Sequence, residues 1–200
     1  MIPRYSRIKR ISIILFVAMA TSFCASTNFL VVNYQLPAEP EMLAEPSVSL
    51  VFKDSREDPA FATRTAKKVL KDFNGDFVLY KNSELMGAFG LQSLIREIFK
   101  HRLENAGVRV VSAEGSREMV VEITLKAFKL DFVERKWIID MTYQANLLKQ
   151  DRFVAGETVS GSAERLRVAG NKDAEKLIGE LITDVVNRLN LKALFKSNQV

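Results

Sequence analysis

The chain has 200 residues, 48% hydrophobic and 26% charged, proportions that belong to a folded protein rather than a disordered one. Its net charge of +5 points first to nucleic acid, but Arg4, Arg7, Lys9 and Arg10 carry most of it. Without them 25 basic residues face 24 acidic ones, too even a balance for a phosphate-attracting field, so no nucleic-acid partner is expected. The single cysteine, Cys24, excludes an internal disulfide and a thiolate zinc site, and the single histidine, His101, leaves little for any other metal centre.

The four cations lead into the apolar stretch Ile11 to Ala20, the layout of a secretory signal. Positive charge stays on the cytoplasmic side while the apolar stretch enters the bilayer. Three fates compete for this head, residues 1–23. Cys24 lies where a lipoprotein cysteine would lie, although the preceding Phe23 is bulkier than lipoprotein processing prefers. Ala18-Met19-Ala20 offers a small-x-small cleavage site. The uncharged run from Ile11 through Ala38 is long enough to span a bilayer uncleaved. Residues 24–47 then read as lipid-anchor site and flexible tether, with Pro37, Pro40 and Pro46 favouring extended chain. One domain is expected over residues 48–196.

In that domain Val48, Leu50 and Phe52 alternate as in a strand with one buried face. The strand ends in a charged turn of unknown role, Asp54, Arg56, Glu57 and Asp58. Its carboxylates offer general acid–base chemistry or cation binding, and the blander reading is a solvated turn stabilised by Arg56. From Ala60 to Phe73 helical spacing competes with the hairpin signal Asn74-Gly75; the hairpin is preferred, its second arm at Phe77 to Lys81. Gly87 and Gly90 precede a helix but lack the lysine and hydroxyl of a phosphate loop.

Leu91, Leu94, Ile95, Ile98, Phe99 and Leu103 form a helical stripe, with Arg96, Glu97, Lys100 and His101 on the opposite, exposed face. His101 has no identifiable orienting partner for catalysis. Gly107 stops the helix, and Val108 to Val111 start a strand that ends in the turn Ala113 to Ser116. Met119 to Ala127 alternate on odd positions and Phe128 to Phe132 on even ones, which places a bulge near Ala127 and Phe128. Trp137 to Leu147 alternate again. Trp137 and Tyr143 read as core rather than as a carrier site for acyl chains or glycans. Phe132, Ile138 and Leu148 are the candidate docking patch. Val154 to Leu166, with Gly156 and Gly161, suits an edge strand, and Ser160-Gly161-Ser162 lacks a nucleophile-elbow frame. Ala174 to Leu189 follow one helical face, with Asn171 as its cap. A charge at Leu94 or Leu181 should unfold the domain. The expected fold is α+β, two amphipathic helices on one face of a mostly antiparallel sheet.

From Val48 to Phe195 this order of elements resembles the YajG-type envelope lipoproteins. The likeness rests on the strand ending in Asp54-Ser55-Arg56, the helix Leu91 to Ala106 running into Gly107-Val108-Arg109-Val110, the long ribbon and the last helix. The family implies a non-enzymatic lipoprotein. Its architecture is similar to LptE-like and TolB-amino-terminal-like modules, which bind envelope partners.

The expectation is therefore a periplasm-facing binding or scaffolding module, held to the outer rather than the inner membrane by a lipid or an uncleaved anchor. An envelope protein partner is expected, with no cofactor and no metal. The alternatives are an LptE-like accessory of an outer-membrane transport complex, a cell-wall synthase regulator, and an envelope hydrolase using Asp54, Glu57 and Asp58.

Overall fold

The computed structural model describes residues 28–39, 42–43, 46–71, 73–111 and 118–196. Cys24, the signal-like head and the turn Ala113 to Ser116 lie outside the described residues. The chain folds as β1 (Asn28–Tyr34), β2 (Ser47–Asp54), α1 (Arg64–Leu70), β3 (Phe73–Lys81), β4 (Glu84–Gly90), α2 (Leu91–Asn105), β5 (Arg109–Val111), β6 (Met119–Val133), β7 (Lys136–Lys149), β8 (Arg152–Leu166), α3 (Asn171–Asn187) and α4 (Leu191–Lys196).

These elements make an α+β fold with two mixed sheets rather than one. The smaller has the order β1-β3-β4 and the larger β5-β2-β6-β7-β8. β1 runs parallel to β3, and β2 runs parallel to both of its neighbours; the ribbon β6-β7-β8 is antiparallel. Both long helices touch both sheets. α2 packs against β2, β3, β4 and β5, while α3 packs against β1, β7 and β8. The apolar stripes of the two helices therefore close one core, in which Leu94, Ile98, Ile178 and Ile182 are fully buried. Each such side chain stabilises the fold by about 1.5–3 kcal/mol.

The folded unit starts twenty residues before Val48. β1 occupies the first part of the expected tether, and Leu30, Val32 and Tyr34 are at most 2% exposed. Pro37 and Pro46 lie in the connection from β1 to β2, not in a spacer outside the domain. Since β1 belongs to a sheet, the uncharged run to Ala38 cannot all cross a bilayer.

The hairpin expectation fails at two points. Residues 64–70 are a helix, α1, started by the Thr63 hydroxyl, which accepts the Ala66 N–H at 3.2 Å. Asn74-Gly75 lies inside β3, where Gly75 takes φ +101° and Asn74 Oδ1 accepts the Asp76 N–H at 3.1 Å. The register slips there, between Asn28↔Phe73 and Leu30↔Phe77. The pair that reads as a turn thus makes a bulge. The true turn is Asn82-Ser83, joining β3 to β4 with both residues at positive φ. In the ribbon the bulge falls between Leu125 and Ala127, one or two residues from its expected place, and β8 is the edge strand anticipated. Asn171 does not cap α3. Gly170 holds that position at φ +75°, Asp173 accepts the Val168 and Ala169 N–H groups, and Asn171 Nδ2 reaches the Leu70 carbonyl at 3.4 Å.

Along its outer side β1 meets α3 instead of another strand. The Val31 N–H donates to Glu175 Oε1 at 3.1 Å and the Gln35 N–H to Thr183 Oγ1 at 3.2 Å. Gly179 sits one turn from each. A Cβ there would lie 2.9 Å from the Asn33 carbonyl oxygen, so only glycine lets the helix approach so closely. A helix covering an open strand edge removes a template for unwanted pairing.

Candidate functional site

The charged turn after β2 is built around one bidentate ion pair. Arg56 Nε donates to Asp54 Oδ1 at 2.9 Å and Nη2 to Asp54 Oδ2 at 2.7 Å, while Nη1 reaches the Phe128 carbonyl at 3.3 Å. The Arg56 side chain is only 5% exposed, so this is a tie between the turn and the bulged part of β6 rather than a solvated contact. The hydrogen bonds from Arg56 hold the Asp54 carboxyl below its ordinary range, against the opposing effect of burial. Asp58 has partners of its own. It bonds Lys129 and accepts the Ala60 N–H at 2.9 Å, and Lys129 is the main cause of its lowered pKa. Glu57 is exposed. The three carboxylates therefore do not converge on one point. Among the described residues no cluster of His, Cys, Asp and Glu has the makings of a metal site.

Asp58 and Lys129 form one wall of an open groove of about 670 Å³, whose other wall is α1 and the residue after it. Arg64, Lys67 and Lys68 fall at i, i+3 and i+4, on the face opposite the buried Ala66 and Leu70, and Lys71 follows the helix at φ +52°. Lys71 is two residues from Phe73, which pairs with Asn28, the first residue of β1. Lys172, at the start of α3, lines the neighbouring cleft beside Val31. That cleft also holds Lys176, Glu175, Glu180 and Asp184, so the cations are concentrated in the groove of α1. Among the described residues Asp58 is the one carboxylate lining the groove. Nearby Asp131 is turned to the Thr63 hydroxyl and the Phe132 N–H.

The expected docking patch does not form. Phe132 is paired with Trp137 on the inner face, the rings 4.8 Å apart, with Arg167 5.9 Å above it. Ile138 and Leu148 do share the outer face of the larger sheet, but they stand ten positions apart along β7, roughly 33 Å of strand. Ile138 sits in a row with Asp131 and Glu164. Leu148 groups with Val51 and Val120 around a cavity of about 300 Å³ and pairs with Phe153, which is 66% exposed. Trp137 and Tyr143 are core: Trp137 Nε1 donates to the Gly170 carbonyl at 3.4 Å and the Tyr143 hydroxyl to the Val185 carbonyl at 3.1 Å. Ser160, Gly161 and Ser162 are part of β8, and Gly87 and Gly90 part of β4.

His101 is not on an exposed face. It is 8% exposed, with Nε2 3.3 Å from Glu97 Oε1 and Nδ1 3.4 Å from Glu104 Oε2. Burial is the first cause of its lowered pKa, followed by the Lys81 ammonium. Arg102 was missed by the pattern altogether. It is 2% exposed, and neither Nε nor Nη1 has a hydrogen-bond partner among the described residues. It lies near the phenols of Tyr34 and Tyr143, whose pKa values burial pushes well up despite that positive charge. An even hydrophobic stripe gives no hint of a buried cation beside it.

Two helices held against both a three-stranded and a five-stranded mixed sheet define the class of fold. That fold is similar to the structure of protein XCC0632 from Xanthomonas campestris, of the DUF330 family, at 16% identity and TM-score 0.51, over 84% of this chain and 97% of that one. Weaker likenesses run to two bacterial lipoproteins. Lipoprotein B from Nitrosomonas europaea has 13% identity and TM-score 0.49, over 83% of this chain and 93% of that one. Rare lipoprotein B from Shewanella oneidensis has 11% identity and TM-score 0.42, over 75% and 96%. At such identities the likeness is one of fold. No family model and no curated protein matches the sequence.

Proposed function

We propose that the chain is an exported bacterial envelope protein, anchored to a membrane through its amino-terminal segment and working by contact in the periplasm. One observation carries the reading: β1 begins at Asn28, four residues after Cys24. A signal-like head runs almost directly into a strand that the core requires. A lipid on Cys24 needs only those few residues to meet the fold, and a retained span would have to fit within Ile11 to Thr27, at the short end of what crosses a bilayer. The YajG-type resemblance from Val48 onward accords with this, as do Asp54 and Asp58, which are engaged by Arg56 and Lys129 instead of standing ready as bases.

Intact-mass measurement of protein extracted from membranes tests the anchor. Diacylated Cys24 is the expected species, and Cys24→Ala should release the protein into the soluble periplasm. A reporter fused after Ser47 that resides inside the cell would overturn export. For the contact role, a photo-crosslinker at Phe153, the most exposed aromatic on the outer face, should yield one discrete adduct with an envelope protein. A set of adducts no different from that obtained at Thr65 would count against it.

A further inference from the structure

We infer that the groove of Arg64, Lys67, Lys68 and Lys71 seats anionic phospholipid headgroups of the membrane that carries the amino-terminal segment. The inference rests on the anchored reading above and adds to it a second, electrostatic hold.

Position is the first argument. Cys24 and Asn28 are separated by a length of chain that spans at most about 14 Å when fully extended. A membrane-held Cys24 therefore keeps the start of β1 close to the headgroups. Asn28 pairs with Phe73, two residues beyond Lys71, so the groove stands at this same end of the fold. The cleft between β1 and α3 is mixed in charge, with Lys172 and Lys176 beside Glu175, Glu180 and Asp184, so the cationic surface at this end is the groove.

Charge is the second. Among the described residues five cations line the groove against one carboxylate, and that carboxylate, Asp58, is bonded to Lys129. Arg64, Lys68 and Lys71 form no ion pair among the described residues. Like charges one helical turn apart repel, and α1 sets three of them on adjoining positions of a seven-residue helix. An external anion relieves that repulsion. The leaflet surface supplies many, and its potential acts on basic groups within about a Debye length, roughly 8 Å in physiological salt. A lipid anchor and a basic patch are also the two signals that together make membrane attachment durable.

The test uses the full chain mixed with vesicles of phosphatidylcholine alone, or with roughly three in ten lipids replaced by phosphatidylglycerol, read by flotation and by lysine acetylation rates from mass spectrometry. Lys67, Lys68 and Lys71 should react about fivefold or more slowly on the anionic vesicles than on the neutral ones, and about 0.5 M salt should abolish the difference. Lys149, at the far end of the ribbon, should react alike on both. Combining Arg64→Gln, Lys67→Gln, Lys68→Gln and Lys71→Gln alters only surface side chains, so the melting curve should be kept while the preference for anionic vesicles is lost. Equal lysine rates on the two vesicle types overturn the inference and leave the anchor standing. Flotation with anionic but not neutral vesicles supports the groove and removes the anchor. Equal protection by about 10 mM inorganic phosphate without vesicles assigns the groove to small anions and overturns the lipid assignment.

Discussion

The imidazole of His101 is enclosed by Glu97, Lys100 and Glu104 of its own helix and by Lys81 from the end of β3, and desolvation outweighs the two carboxylates. Its folded pKa lies below the ordinary value of 6.5, so the unfolded chain binds a proton that the folded chain resists. Stability should therefore fall as the pH drops through about 6.5 toward the folded pKa and be fully regained above neutrality. Urea midpoints at pH 7.5 and 5.5 check this, and His101→Gln should flatten the slope. Asp54 acts lower on the scale: its depressed pKa makes a contribution present above the unfolded value and lost only in stronger acid. In the apolar core, Leu94→Ala should cost about 2–5 kcal/mol by denaturant titration, and Leu94→Asp should leave no cooperative transition. The leucines of α2 were legible because 3.6-residue periodicity marks a buried stripe. His101 and Arg102 were not. Two sheets flank this helix, and the buried sector is wider than any single-sheet packing would give.

At the scale of elements, turns mattered more than periodicity. The ribbon's two hairpins turn on Glu134-Arg135 and Gln150-Asp151, and all four residues have positive φ. Such a turn matches the twist of the strands it joins but strains side chains other than glycine and asparagine. Glu134→Asn with Arg135→Gly should raise stability by about 1 kcal/mol, measured by thermal or urea melting. Asn74-Gly75 has the preferred composition for such a turn and lies in a bulge, whereas Asn82-Ser83, a weaker signal, makes the bend. Dipeptide preference reports local conformation, and a bulge glycine needs the same positive φ as a turn glycine. β1 was hidden for another reason. Its apolar residues continue the uncharged run of the leader, and no charge marks where one ends. The seam between β1 and α3 supplies a direct test. Gly179→Ala gains about 1 kcal/mol of helix propensity but drives a methyl group into the Asn33 backbone, which cannot rotate aside. A net loss of stability is expected, larger for Gly179→Val, by up to about 3 kcal/mol.

For the molecule as a whole, the α+β class and the antiparallel ribbon followed from alternation and from two clear helices. The second sheet did not, because parallel pairings join strands distant in sequence and leave no turn between them to read. The candidate groove was equally hard to see, since its position depends on Phe73, two residues after Lys71, pairing with the first residue of β1, a neighbourhood that register alone creates. What the chain's own order discloses is how late it closes. The bonds that fix β1 to α3 link residues 144 to 153 positions apart, so the first strand waits for nearly the last helix. A chain ending at Gly170 should lack a cooperative melt and be digested by protease at the rate of a denatured polypeptide. During synthesis β1 must therefore wait, uncovered along one edge, until α3 has been made, and the growing polymer stays pliable up to that point.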